Sequence, residues 1–270
     1  MHPDLFRLGP FTLHAYGTML ALSFLLGLLL ARRRAKQRGL GEAMIMDLFQ
    51  LIVLSAIVGS RFFFVIFHLD SFSGRWWHVF ALWEGGLTLY GGLLLAMLAS
   101  VLYVRAKRES FLRVADVMSP SLGLGLMITR LGCFLNGCCF GLPTASALGV
   151  HFPADCEASL TAARIAGEHG ASGGLAVAIH PTQLYSSFGG LIILLALLAL
   201  DRKARPDGSL FAGFLCLYGL DRLVIDEFRY YEEVMRAGGL SVNQWLSIGM
   251  IAAGVFLFAR LRRSAQRAAA

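Results

Sequence analysis

Apolar and polar residues are segregated in blocks along this chain. Four apolar runs of roughly 20 residues, at 11–30, 85–104, 179–200 and 240–259, carry no formal charge. As helices they cover the ~30 Å of hydrocarbon in a bilayer. Three further runs are interrupted: 44–67 by Asp47 and Arg61, 114–134 by Asp116 and Arg130, and 210–228 by Asp221, Arg222, Asp226 and Glu227. The pattern predicts an all-α integral membrane protein with seven transmembrane helices, taken as a single membrane domain over 1–270. The longest connection, 137–180, is rich in Ala, Gly and Ser and longer than ordinary loops, so a small extracytoplasmic cap is expected between spans four and five.

Composition agrees: 57% of residues are apolar and 15% charged, where soluble proteins carry about a quarter. That leaves too few charges to cover a soluble surface, and hydrophobicity this high excludes disorder. The net charge of +7 would suit a nucleic-acid binder, but the apolar bulk does not. The charge is explained by position. Sixteen of the 24 basic residues follow the odd-numbered spans: Arg32, Arg33, Arg34, Lys36 and Arg38; Arg105, Lys107, Arg108 and Arg113; Arg202, Lys203 and Arg205; Arg260, Arg262, Arg263 and Arg267. The opposite side holds Arg7, Arg75, Arg164, Arg229 and Arg236. The positive-inside rule then puts the N-terminus outside and the C-terminus in the cytoplasm. Met1-His2-Pro3-Asp4 lacks the basic start of a signal peptide. Trp76, Trp77 and Trp83 read as an interfacial belt.

The three remaining arginines, Arg61, Arg130 and Arg222, lie within spans. They come about 13 to 17 residues after cytoplasmic entry, which at 1.5 Å per residue is about 20–25 Å and places all three in the outer half. His14, Tyr16, Tyr90, His180, Gln183 and Tyr185 open the spans that run the other way and fall at the same depth. An arginine in hydrocarbon costs at least ~2.5–3.5 kcal/mol, so three of them need a reason. The plain reading is snorkelling or local pairing, and Arg222 has Asp226 one turn on. The sharper reading is an anion site, because guanidinium forks bind phosphate bidentately. In an outer leaflet that anion is a phospholipid headgroup.

Several strings then become recognisable: His14-Ala15-Tyr16-Gly17, Gly59-Ser60-Arg61, Gly85-Gly86-Leu87-Thr88-Leu89-Tyr90-Gly91-Gly92, Thr129-Arg130-Leu131-Gly132-Cys133-Phe134-Leu135-Asn136-Gly137 ending in Gly141, His180-Pro181-Thr182-Gln183-Leu184-Tyr185, and Tyr218-Gly219-Leu220-Asp221-Arg222 followed by Asp226 and Arg229. Together, and in this order, they resemble the prolipoprotein diacylglyceryl transferase family across about residues 10 to 230. The resemblance implies a bacterial inner-membrane transferase with its active site facing the outer leaflet. It moves the diacylglyceryl group of phosphatidylglycerol onto the lipobox cysteine thiol of a prolipoprotein signal peptide. A thioether and glycerol 1-phosphate result, without metal or organic cofactor and without any nucleic-acid partner. It implies headgroup-binding and catalytic roles for Arg130 and Arg222 and supporting roles for Tyr16, Asn136, Gly141, Tyr218 and Asp226. Arg61, His14, His180 and Gln183 join them as substrate-binding candidates by depth. Tyr90 stands where the family often carries the histidine that serves as general base. With a phenol pKa near 10, Tyr90 shares that candidacy with His14 and His180. Asn136 also reads as a helix C-terminal cap.

Cys133, Cys138, Cys139 and Cys156 fall near or in the cap, where disulfides are expected and three pairings are open. A zinc site is disfavoured because no C-x-x-C pair occurs. His2, His68, His78, His151 and His169 read as solvated loop residues. Two other function classes are weighed: a non-catalytic relative that binds phospholipid or lipoprotein, motivated by Tyr90, and an anion or lipid transporter, against which the apolar inner halves of the spans count.

Overall fold

The computed structural model describes residues 4–8, 11–72, 74, 76–81, 85–154, 156–168, 177–203, 205–231 and 236–269; His2, Arg75, Trp83 and His169 lie outside them. The chain runs β1 (Asp4–Leu8), β2 (Phe11–His14), α1 (Ala15–Gln37), α2 (Glu42–Phe67), α3 (Leu89–Ala106), α4 (Phe111–Asn136), α5 (Glu157–Glu168), α6 (Thr182–Asp201), α7 (Ser209–Asp226), β3 (Arg236–Ala237), β4 (Leu240–Ser241) and α8 (Val242–Ala269). Two 3-10 turns, Leu69–Phe72 and Trp76–Phe80, lie between α2 and α3. Among the described residues six helices, α1, α2, α3, α4, α6 and α8, are long and apolar enough to cross a membrane. The chain is an all-α membrane protein. Helix α7, with Asp221, Arg222 and Asp226 in its 18 residues, is not among the six.

Four helices start later than their apolar runs, each for a local reason. Residues 11–14 alternate apolar and polar side chains, the period of a strand, and pair antiparallel with β1. Gly85 and Gly86 take φ values of 79° and 71°, which no helix accommodates, so α3 begins at Leu89. Pro181 disfavours helical backbone at His180 and stands as the cap of α6. Leu240 and Ser241 pair with β3 before α8 begins.

The chain divides into two compact units, Ala31–Val117 and the combination of Met1–Leu30 with Met118–Ala270. In the first, α2 and α3 cross at glycines: a Cβ on Gly59 would lie 2.5 Å from the Gly91 carbonyl oxygen, and one on Gly91 2.6 Å from that of Gly59. Arg34 donates to the Val117 carbonyl at 3.3 Å. In the second unit, α4 and α6 are equally close: a Cβ on Gly190 would lie 2.7 Å from the Met127 backbone nitrogen. Small residues at such crossings let backbones approach in lipid, where packing rather than water drives association. Ser121 donates from α4 to the Gly27 carbonyl of α1 at 2.8 Å, and Ser187 from α6 to the Met127 carbonyl of α4 at 2.8 Å. Ile193, Leu197 and Leu210 form the buried contact between α6 and α7.

Candidate functional site

The end of α4 is shaped by its last six residues. Gly137 takes a left-handed φ of 75°, its N–H bonds the Phe134 carbonyl at 3.2 Å, and the Cys138 N–H bonds the Cys133 carbonyl at 3.2 Å. This double bond pattern closes a helix where only glycine is free of strain. Asn136 is therefore the last helical residue, and Gly137 takes the left-handed position. Cys139 follows with φ 61°, uncommon outside glycine. The first turn of α6 holds this loop: Thr182 donates to the Cys139 carbonyl at 2.9 Å and Gln183 to the Cys138 carbonyl at 2.8 Å. Gly141 is walled in, since a Cβ there would sit 2.5 Å from the Phe228 carbonyl oxygen and 2.7 Å from that of His180.

The loop gathers three thiols. The sulfurs of Cys133, Cys138 and Cys139 lie within 4.8 Å of one another, and Arg130 donates to Cys139. Hydrogen bonds from Cys133 and Cys138, then the charges of Arg229 and Arg130, hold the Cys139 thiol well below the usual range. Tyr16 lies within electrostatic reach of Arg130 and all three cysteines. Gly132 allows this approach, because a Cβ there would meet Met19 Cβ at 2.8 Å.

On α7, Arg222 is mostly buried, with 11% of its side chain exposed, and its partner Asp226 is wholly enclosed. One terminal nitrogen, Nη2, donates to the Tyr231 hydroxyl at 2.8 Å and lies 3.4 Å from Asp226 Oδ1. The Tyr231 hydroxyl donates to Asp226 Oδ1 at 2.8 Å, and Ser241 donates to Oδ2 at 3.3 Å. The other terminal nitrogen, Nη1, is buried and has no hydrogen-bond partner among the described residues. Burial and the Asp226 hydrogen bond push the Tyr231 phenol up, against the pull of Arg222 and Arg229. The Asp221 carboxylate feels both Arg222 and Arg130, and Arg130 also feels Tyr218. Asp221 fits against α6 because position 189 is glycine, whose Cβ would collide with the carboxylate. The structure thus brings Tyr16, Arg130, Tyr218, Asp221 and Arg222 to one region of this unit.

Its neighbours are polar and held. His180 Nδ1 meets the Tyr185 hydroxyl at 3.1 Å, and Gln183 Oε1 is a buried acceptor without a partner among the described residues. His14, at the end of β2, pairs through Nδ1 with Asp4 Oδ1 at 3.0 Å.

In the other unit Arg61 is 7% exposed. Its Nε donates to the Val79 carbonyl at 2.8 Å, Nη1 to Gly85 at 2.5 Å and Gly86 at 3.2 Å, and Nη2 to His78. The Phe64 and Phe72 rings lie 5.7 and 5.5 Å from its guanidinium carbon. The fork that depth alone offered to a phosphate is filled by backbone. Tyr90, in the first turn of α3, is 53% exposed.

Residues 3–260 match the family model described as prolipoprotein diacylglyceryl transferase. The chain belongs to that family. It is similar to the phosphatidylglycerol–prolipoprotein diacylglyceryl transferases of Parasynechococcus marenigrum strain WH8102 (33% identity, covering 98% of this chain and 95% of the relative) and Bordetella avium strain 197N (33%, 98% and 96%). The relative of that name from Geobacter sulfurreducens is 33% identical over 94% of this chain and 92% of its own length.

For a member of the diacylglyceryl transferase family, the site holds more than the quoted strings suggested. Tyr231 and Ser241 hold Asp226, and neither stands in a span arginine's helix. One had a signal: Ser241 and Gln244 form a reciprocal helix cap, with the Gln244 N–H on Ser241 Oγ at 3.0 Å and the Ser241 N–H on Gln244 Oε1 at 2.8 Å. The S-x-x-Q spacing announces that cap, and the cap sets Ser241 against Asp226.

Proposed function

We propose that this transferase moves the diacylglyceryl group of phosphatidylglycerol to the lipobox cysteine thiol of a prolipoprotein. The thiol loses its proton, its sulfur attacks the glyceryl carbon bonded to phosphate, and the carbon–oxygen bond breaks. A thioether forms and glycerol 1-phosphate leaves. The observation that carries the reading is the buried Arg222 Nη1, a charged donor with no hydrogen-bond partner among the described residues, in the region that also holds Arg130. A buried charged donor left unpaired is costly, and a phosphate oxygen satisfies it. Arg130 and Arg222 then stabilise the charge that develops on the leaving phosphate ester, the role of preorganised donors in group transfer. Asp226, Tyr231 and Ser241 orient Arg222. Tyr16, Tyr218, Gln183 and the loop around Asn136 and Gly141 shape the pocket, while Arg61 holds the backbone at His78, Val79, Gly85 and Gly86.

Three groups are candidates to accept the thiol proton: Tyr90, His180 and His14. His14 is favoured, because Asp4 on Nδ1 fixes the tautomer that leaves Nε2 as acceptor. In the membrane we place seven spans, counting α7, within one membrane domain over 1–270. The N-terminus and the 137–180 cap lie outside and the C-terminus in the cytoplasm of a bacterial inner membrane, with the site facing the outer leaflet. The sixteen basic residues after the odd-numbered spans support this orientation. The test is purified protein in phosphatidylglycerol vesicles with a lipobox peptide, scored for glycerol phosphate release. Release that disappears in Arg130→Ala and Arg222→Ala is expected. Binding of phosphatidylglycerol with no release in the wild type would replace the reading with a non-catalytic lipid binder.

A further inference from the structure

Three of the chain's five cysteines converge on one point beside Arg130. Cys133 is buried in the last turn of α4, while Cys138 and Cys139 sit half-buried on the loop that α6 pins through Gln183 and Thr182. Their sulfurs are within 4.8 Å of one another. Three sulfurs bound to one ion at about 2.3 Å stand about 4 Å apart, so the loop needs only a small contraction to enclose one. The missing C-x-x-C spacing is no obstacle, because the helix-ending turn at Gly137 folds Cys138 back onto Cys133 and the left-handed Cys139 completes the set. Among the described residues no histidine or carboxylate joins the group. An all-thiolate set of three suits soft d10 ions, whereas Ca(II), Mg(II) and Mn(II) require oxygen ligands. The charge also closes. Three thiolates around a monovalent or divalent cation leave one or two negative charges, and the positive charges of Arg229 and Arg130 act on Cys139.

We propose that Cys133, Cys138 and Cys139 form a three-thiolate site for a soft d10 cation, Cu(I) or Zn(II). Binding releases the thiol protons to solvent and draws Cys139 away from its hydrogen bond with Arg130. The site stands independently of the transferase reading, and its test does not use activity.

Full-length reduced protein in detergent receives one equivalent of Cu(I), or of Zn(II) in a parallel arm, and is then briefly alkylated with N-ethylmaleimide and mapped by mass spectrometry. Labelling of Cys138 and Cys139 is expected to fall in at least one arm, which identifies the ion, while Cys156 labels as before. Cys139→Ser should restore labelling of Cys138 and weaken binding, read against a competing chelator, by at least the roughly 10–100-fold that even an outer-sphere partner contributes. Cys138→Ser provides the same measurement if Cys139→Ser does not fold. Unchanged labelling in both arms overturns the proposal. So does a disulfide joining two of the three that resists reduction in the native protein.

Discussion

Arg61 and Arg222 are the same residue type, both mostly buried, and the hydropathy pattern sets them at the same depth. Their surroundings differ completely. Arg61 donates four hydrogen bonds to backbone carbonyls of one loop, so its charge is engaged in holding local structure. Arg222 is held by side chains on one terminal nitrogen, and the other has no partner among the described residues. Depth in a membrane therefore selects candidates, and hydrogen-bond saturation separates them. A saturated guanidinium is a structural clamp; a half-saturated one, oriented by a buried carboxylate, is prepared for an outside anion.

The sharpest way to break this contrast is to remove each guanidinium. Arg222→Ala should lower turnover by roughly 10²–10³-fold, the cost of losing one preorganised donor to a developing oxyanion. Arg222→Lys should recover little, because an ammonium cannot keep the Asp226 contact and reach a phosphate at once. Glycerol phosphate release measures both. Turnover within a few-fold of wild type in Arg222→Ala would erase the distinction. Asp226→Asn comes next: it keeps the shape and removes the charge that aims the fork. Misorientation should cost roughly 10²-fold or less in kcat, with phosphatidylglycerol still bound. A loss confined to expression or melting temperature would make Asp226 merely structural.

Much of this is legible in the amino-acid sequence. The apolar runs located the six long helices, and the i to i+4 step from Arg222 to Asp226 gave the ion pair. Strand β2 was written in the alternation of Phe11, Thr12, Leu13 and His14, although a hydropathy window averages over it. Helix α5 gives no such signal, because residues 157–168 are too short and too polar to register as a span; its inward face includes Ala158 and Ala162, one turn apart. The partners of Arg61 lie 17 to 25 residues away, in the Trp76–Phe80 turn and at Gly85 and Gly86, where no periodicity reports a contact. Tyr231 reaches Asp226 from beyond the helix end with no such signal, whereas Ser241 is marked only by its S-x-x-Q cap. Depth is a property of one helix and can be counted, but saturation depends on chain segments brought together by the fold.

Arg61→Ala sharpens the comparison from the other side. The carbonyls of His78, Val79, Gly85 and Gly86 lose their donor, and those that water cannot reach cost about 1–3 kcal/mol in stability. A lower midpoint in thermal or denaturant unfolding is the expected result. Turnover of the folded fraction should change less than tenfold, well short of the Arg222→Ala effect. Turnover lost as fully as in Arg222→Ala, with an unchanged melting midpoint, would move Arg61 into the headgroup site.

The smallest effect belongs to Tyr231→Phe. The phenol bridges Arg222 and Asp226, but the direct approach at 3.4 Å remains when it is gone. Only about 1 kcal/mol of orientation is at stake, roughly a fivefold drop in turnover. The wild type adds a test of sign. A phenol whose pKa is raised keeps its proton to higher pH than a free tyrosine, so the bridge to Asp226 survives alkaline conditions. The wild-type rate should therefore hold through about pH 10, where ordinary phenols ionise. Tyr231→Phe should run below it by a constant factor across that range. A ratio that closes near pH 10 would mean that Tyr231 ionises normally, and that Asp226 alone aims Arg222.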